Sequence, residues 1–241
     1  MKISVIVPAF NEEKLLGASL AEINAAATAF SARGWEYELC VCDNNSTDQT
    51  AAIACKNGAN VVFEPVNQIA RARNTGASIA TGDWFVFVDA DTHPSEKLFA
   101  DMAAQISAGK VLAGGVTMRL DEKLFVAGLV TQFWNYSSRL ARLMAGSFIF
   151  VEAAAFRQVG GFSHEFFAAE ELDLSLRLKK LARATKRKVV ILHRHPIKTS
   201  ARKIKLYTGR ELGGFFLRSI FQHRKTVRDR EAAFMWYDGR R

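Results

Sequence analysis

The chain has 241 residues, about half of them apolar and a quarter charged, enough for one sizeable core and ordinary for a globular protein. Its longest strongly apolar stretches, residues 124–134 and 146–156, run to 11 residues each, well short of the ~20 a membrane helix needs; the start MKISVIVPAFNEE has no signal-type apolar core or cleavage site, so a cytoplasmic location is expected. The net charge of +9 is split between residues 1–120, with 9 basic against 13 acidic side chains (−4), and residues 121–241, with 24 against 11 (+13), while Cys40, Cys42 and Cys55 are too few and too clustered for a disulfide framework.

Residues 2–8 (KISVIVP) are a continuous β-branched run and are predicted to form a strand buried on both faces. Residues 12–31 have helical apolar spacing and stop at Arg33-Gly34. Residues 37–43 (YELCVCD) read as a second strand, with Cys40 and Cys42 on one face of it. Ser46-Thr47-Asp48 offers N-cap chemistry for a helix through Lys56, ended by Asn57-Gly58. A short strand over 60–64, a helix over 69–80 and a fourth strand over 83–88 (DWFVFV) follow. Strand–helix repetition with short turns implies a parallel sheet covered by helices. Ligands of such sheets bind outside the carboxyl ends of the strands. The polar residues there, Asn11, Glu12, Asp43, Asp89 and Asp91, are therefore expected along one edge.

Beyond Thr92 the pattern is mixed. Helices are predicted over 96–107, 123–143 (amphipathic), 170–181 and 204–221 (amphipathic), and strands over 111–120, 147–151 and 189–193. From Arg177 to Lys205 there are twelve basic residues and no acidic one. That stretch is either a solvated surface or a face for phosphate or anionic lipid.

The strongest chemical signal is Phe87-Val88-Asp89-Ala90-Asp91, a hydrophobic strand ending in two carboxylates one residue apart. Two acids at the mouth of an apolar sheet are costly unless a cation or strong donors compensate. Mg2+ or Mn2+ with substrate phosphates would do so. A turn or capping pair of aspartates is the alternative, since Thr92-His93-Pro94-Ser95 follows.

The segments VIVPAFNEE (5–13), VCDNNSTD (41–48), ARARNTG (70–76), GDWFVFVDAD (82–91), VGGF (159–162) and EELDLSLRL (170–178) occur in this order. Through them the chain resembles the family 2 glycosyltransferases over residues 2–180. The resemblance implies an α/β, GT-A-like fold: a mostly parallel sheet with helices on both faces, a mixed C-terminal half and an amphipathic C-terminal helix. Within a single domain, 1–92 would be the nucleotide-binding half, 93–200 the acceptor side and 201–241 a basic helical segment. It also implies an inverting transfer from a nucleoside-diphosphate sugar, UDP-linked by default and GDP-mannose as a second option. Pro8, Ala9, Glu12, Asp43, Arg71 and Asp89 would contact the donor, and Arg202 would close over its diphosphate. Asp91, Asp89 and His195 would hold Mg2+ or Mn2+. Glu171, in the Glu170-Glu171-Leu172-Asp173 run, matches the base position, with a Glu where the family commonly has Asp. The acceptor is open, a lipid phosphate at an anionic membrane being one candidate, and no nucleic acid is expected. The rival readings are a sugar nucleotidyltransferase, which lacks its Gly-rich basic signature after the first strand, and a non-catalytic basic membrane- or nucleic-acid-binding module.

Overall fold

The computed structural model describes residues 1–122, 125–200 and 228–229. The described elements are, in chain order, β1 (Lys2–Ala9), α1 (Leu16–Ala26), α2 (Thr28–Ser31), β2 (Glu36–Asp43), α3 (Thr50–Lys56), β3 (Asn60–Phe63), α4 (Ile69–Ser78) and β4 (Trp84–Val88). Then come β5 (Thr92–His93), α5 (Glu96–Ser107), β6 (Val111–Leu120), α6 (Phe125–Ala141), β7 (Phe148–Glu152), α7 (Ala153–Gln158), α8 (Glu170–Ala184) and β8 (Lys188–Thr199). The strands form one sheet in the order β3-β2-β1-β4-β7-β6-β8-β5.

The first four strands pair in parallel, as strand–helix alternation requires. β7 then enters antiparallel to both β4 and β6, and β8 runs parallel to β6. Alternate residues of the central strands feed two cores. Val5, Val7, Val86 and Val88 pack against Leu20, Phe30, Phe99 and Met102 on one face. Ile6, Phe85 and Phe87 pack against Ala70, Phe156, Leu174 and Leu178 on the other. Helices therefore cover both faces, and the two-sided burial explains why these strands read as unbroken apolar runs. Cys40 and Cys42 are buried small residues and Cys55 is exposed.

Three predicted elements differ most from the sequence expectation, and β5 and α7 were not expected. The helix predicted from residue 12 starts at Leu16, because the Glu12 and Glu13 backbone N–H groups donate to Thr50 Oγ1 (2.8 Å) and Asp48 Oδ2 (3.1 Å). The next helix starts at Thr50 rather than near Ser46, since Ser46 N–H donates to Asp43 Oδ1 and Thr47 N–H to Asn11 Oδ1. These bonds stitch the loop after β1 to the loop after β2. The last strand runs to Thr199, not 193: its register against β6 shifts between Val116 and Met118, and that irregularity accommodates Pro196. The helix expected over 204–221 and the residue Arg202 lie outside the described residues. Among the described residues no helix is long and apolar enough to cross a membrane.

Candidate active site

A cavity of about 640 Å3 opens at the carboxyl ends of β1 and β4, within the size range of small-molecule sites. Pro8, Ala9 and Glu12 from the end of β1, Asp89 and Asp91 from beyond β4, and Glu170 and Glu171 from the start of α8 all line it. The sheet delivers the two aspartates because β4 ends at Val88, where its antiparallel partner β7 begins. Asp91 is buried, and its backbone carbonyl accepts from Ser200 N–H at 3.3 Å. Thr199 and Ser200 thereby join the cavity rim.

At the centre is Arg73, a buried cation that lines the cavity. It donates to Asp89 Oδ1 (2.9 Å), to the Gly146 carbonyl (3.0 Å) and to Glu170 Oε1, and its guanidinium lies 5.1 Å from the Phe162 ring centre. Burial alone would favour discharging it, but Asp89, Glu170 and Glu171 around it raise its pKa further instead. A Cβ on Gly146 would lie 3.0 Å from Nη2 of this guanidinium, so a larger residue there would have to displace the ion-paired arginine by a few tenths of an ångström.

Glu170 and Glu171 differ in environment. Glu170 is buried and committed to Arg73. Glu171 is half-buried on the cavity wall. Burial, reinforced by the Glu170 charge and only partly offset by Arg73, pushes its carboxyl up to about 8. The residue ahead of them, Ala169, holds φ at 62°. A non-glycine residue in the left-handed region stores strain of about 1 kcal/mol or more, and here it aims the first turn of α8 at the cavity.

The structure thus brings Pro8, Ala9, Glu12, Asp89, Asp91, Glu170 and Glu171 together around one space. Asp43 lies at the end of β2, paired in register with Ala9, with Oδ1 accepting from Ser46 N–H at 3.0 Å; its neighbour Asn44 is the one that lines the cavity. Arg71 is not brought in: its Nε donates to Gln68 Oε1 at 3.2 Å, and the arginine two positions on takes the central place. His195 is not brought in either. Its Nδ1 lies 2.9 Å from Asp101 Oδ2 on α5, tying that helix to β8. Arg202 lies outside the described residues.

Arg73, missed in the sequence, carried a readable signal. Ala70, Arg73 and Ala77 share one helical stripe of α4, the stripe that is buried. Met118, Val130, Thr131 and Trp134 supply a further wall that no motif marked.

As a donor set for a divalent ion, the aspartates offer hard oxygens. Asp89 keeps Oδ2 free of the Arg73 bond, and Asp91 lies two residues on. No group of three or more His, Cys, Asp or Glu that could hold a metal occurs among the described residues. The residues fit Mg2+ or Mn2+ as a two-carboxylate site completed by substrate phosphates and water, and not as an all-protein cage.

The family model described as Glycosyl transferase family 2 matches residues 4–162. An uncharacterized glycosyltransferase of Mycobacterium tuberculosis is 34% identical over 113 residues, 47% of this chain and 47% of that protein. The structure of TarS from S. aureus in complex with UDP-GlcNAc superimposes with a TM-score of 0.66 at 22% identity, covering 98% of this chain and 69% of that one. That of the mannosyltransferase PcManGT from Pyrobaculum calidifontis, in complex with GDP-Man and Mn2+, gives 0.68 at 19% identity, covering 97% and 69%. The fold is therefore of the GT-A type. The chain belongs to glycosyl transferase family 2, and it spans about half the length of the curated relatives it matches.

Proposed function

We propose that the chain is an inverting glycosyltransferase that moves a sugar from a nucleoside-diphosphate sugar to an acceptor hydroxyl or phosphate with the help of Mg2+ or Mn2+. The observation that carries this reading is one cavity lined both by Asp89 and Asp91 beyond the end of β4 and by Glu171 at the start of α8. The UDP-GlcNAc and GDP-Man held by the two solved relatives support the donor class, with a UDP-sugar as the default and GDP-mannose as the second choice.

In this reading Pro8, Ala9 and Glu12 receive the nucleoside, with Asp43 behind them at the strand end. Residues 1–92 form the donor side and 93–200 the acceptor side. Asp91 and the remaining oxygen of Asp89 would hold the divalent ion, which when bound neutralises charge on the departing diphosphate. Glu171 accepts the acceptor hydroxyl's proton as that oxygen forms its bond to the anomeric carbon from the face opposite the leaving diphosphate. One bond forms as one breaks, so the centre inverts. A carboxylate raised toward neutrality is well matched to this proton transfer. Arg73 holds Glu170 and Asp89 in place and keeps a positive charge fixed beside the reacting centre, where it costs no reorganisation. We place the protein in the cytoplasm, in peripheral contact with an anionic membrane that carries a lipid-linked acceptor.

The test is thermal shift with UDP or GDP and Mn2+, followed by transfer assays on two variants. Glu171→Gln is expected to keep the nucleotide shift and lose transfer. Asp91→Ala is expected to lose the metal-dependent part of the shift and transfer together, with the fold retained. Metal-independent transfer by Asp91→Ala would overturn the scheme.

A further inference from the structure

Helix α6 is inverted relative to an ordinary surface helix. Leu129, Phe133, Tyr136 and Leu140 follow one another at i, i+4, i+7 and i+11, which puts them on a single stripe. That stripe faces outward, its members 53%, 74%, 67% and 76% exposed. The inward side carries Thr131, Asn135 and Ser138 beside Trp134, which lines the cavity. Asn135 bonds both backbone groups of Met118 (2.9 and 2.8 Å), and buried Ser138 donates to the Leu143 carbonyl at 2.6 Å. Polar bonding thus seats the helix, and its apolar side is turned away from the protein. Single exposed apolar residues need no explanation, but a contiguous row of large ones marks an interaction surface.

The charges around the row indicate what covers it. α6 contains no acidic residue. Exposed Arg139 and Arg142 flank Leu140, and Lys179 reaches from α8 to the Ala141 carbonyl at 2.6 Å. Beyond it Leu176, 59% exposed, shares a face of α8 with exposed Lys180 and Arg183. Asp121 and Glu122 lie ahead of the helix, at the end away from this cationic rim. An apolar row bordered by cations has the make-up of a helix that lies in the plane of an anionic bilayer.

We infer that the outer face of α6, with the adjoining end of α8, is a docking surface for an anionic lipid bilayer. The inference deepens the transferase reading and rests on it for one consequence. Val130, Thr131 and Trp134 of the same helix line the cavity, so docking carries the acceptor side to the bilayer and makes the acceptor an amphiphile held there.

Sedimentation of the full chain with vesicles tests it, using phosphatidylcholine alone and phosphatidylcholine mixed with phosphatidylglycerol. The wild type is expected to bind the mixed vesicles only. The double variant Phe133→Ser/Leu140→Ser should lose about tenfold or more in partitioning at unchanged Tm, and Arg139→Glu/Arg142→Glu should also fall. Four results would each overturn the inference. They are no vesicle binding by the wild type, equal binding by the serine variant, a wild-type dimer that the serine variant dissociates, and a drop of several degrees in that variant's Tm. The UDP–Mn2+ thermal shift is read in parallel and separates the two claims: its absence in the wild type removes the transferase reading and leaves the docking result standing.

Discussion

Two neighbouring carboxyls, Glu170 and Glu171, have been given different tasks by one arginine. Glu170 is neutralised in place by Arg73, and Glu171 is left to titrate on the cavity wall. In the proposed role Glu171 accepts a proton only when ionised, so transfer should rise with pH and level off above about 8. Glu171→Gln should erase that profile with the activity itself. The same shift has a stability consequence of definite sign. A carboxyl whose pKa is higher in the folded than in the unfolded chain binds a proton on folding, so stability falls as pH rises from its ordinary value near 4.5 to about 8. Thermal melts at pH 5 and pH 9 should show Glu171→Gln flatter than the wild type over that window, and more stable at the upper end. Asp89 and Asp91 were legible as cavity residues because two acids at the mouth of an apolar strand are costly without compensating cations or donors, and both line the cavity. Arg73 was harder, since the run Ala70-Arg71-Ala72-Arg73 offers two arginines. Only the helical stripe it shares with Ala70 and Ala77 separates the buried one from the half-buried one.

At the scale of elements, Arg73 joins α4 to the end of β4 and to the start of α8. Replacing it with Met leaves Glu170 as an uncompensated buried charge, and breaking a buried pair in this way costs about 3–5 kcal/mol. Chemical denaturation should show that loss, together with loss of nucleotide binding. At the opposite end of the sheet, Glu38 on β2 accepts from Lys2 and Ser4 on β1 and from Thr81 ahead of β4. Burial pushes its carboxyl up, but those donors outweigh it and hold the group down at about 2. The stability it contributes is present above its ordinary pKa and lost as pH falls toward 2. Glu38→Gln should therefore destabilise by about 1–2 kcal/mol at pH 7, measured by urea unfolding, and by little at pH 2–3. The strands and helices of the first half were legible because each follows from its own local period. The rest was not, because β7 finds its antiparallel place between β4 and β6 through partners far away in sequence. The β8 extension past Pro196 likewise depends on an irregularity in β6 pairing that no local pattern announces. The period of α6 was legible too, but a period alone does not say which side of a helix meets the core.

For the molecule as a whole, charge is uneven along the chain, −4 over residues 1–120 against +13 over residues 121–241. Anything that binds the folded chain alone raises its stability by mass action. UDP with Mn2+ at a hundred times its Kd should add about 2.7 kcal/mol, seen as a higher Tm. Kinetics should carry a second signature. The loops after β1 and β2 are sewn to each other by the protein's own hydrogen bonds through Thr50, Asp48 and Asn11. An incoming nucleotide therefore meets a receptor whose shape is decided in advance. Stopped-flow mixing should give a single exponential whose rate climbs linearly with ligand concentration. A plateau would mean that the seam has to open first.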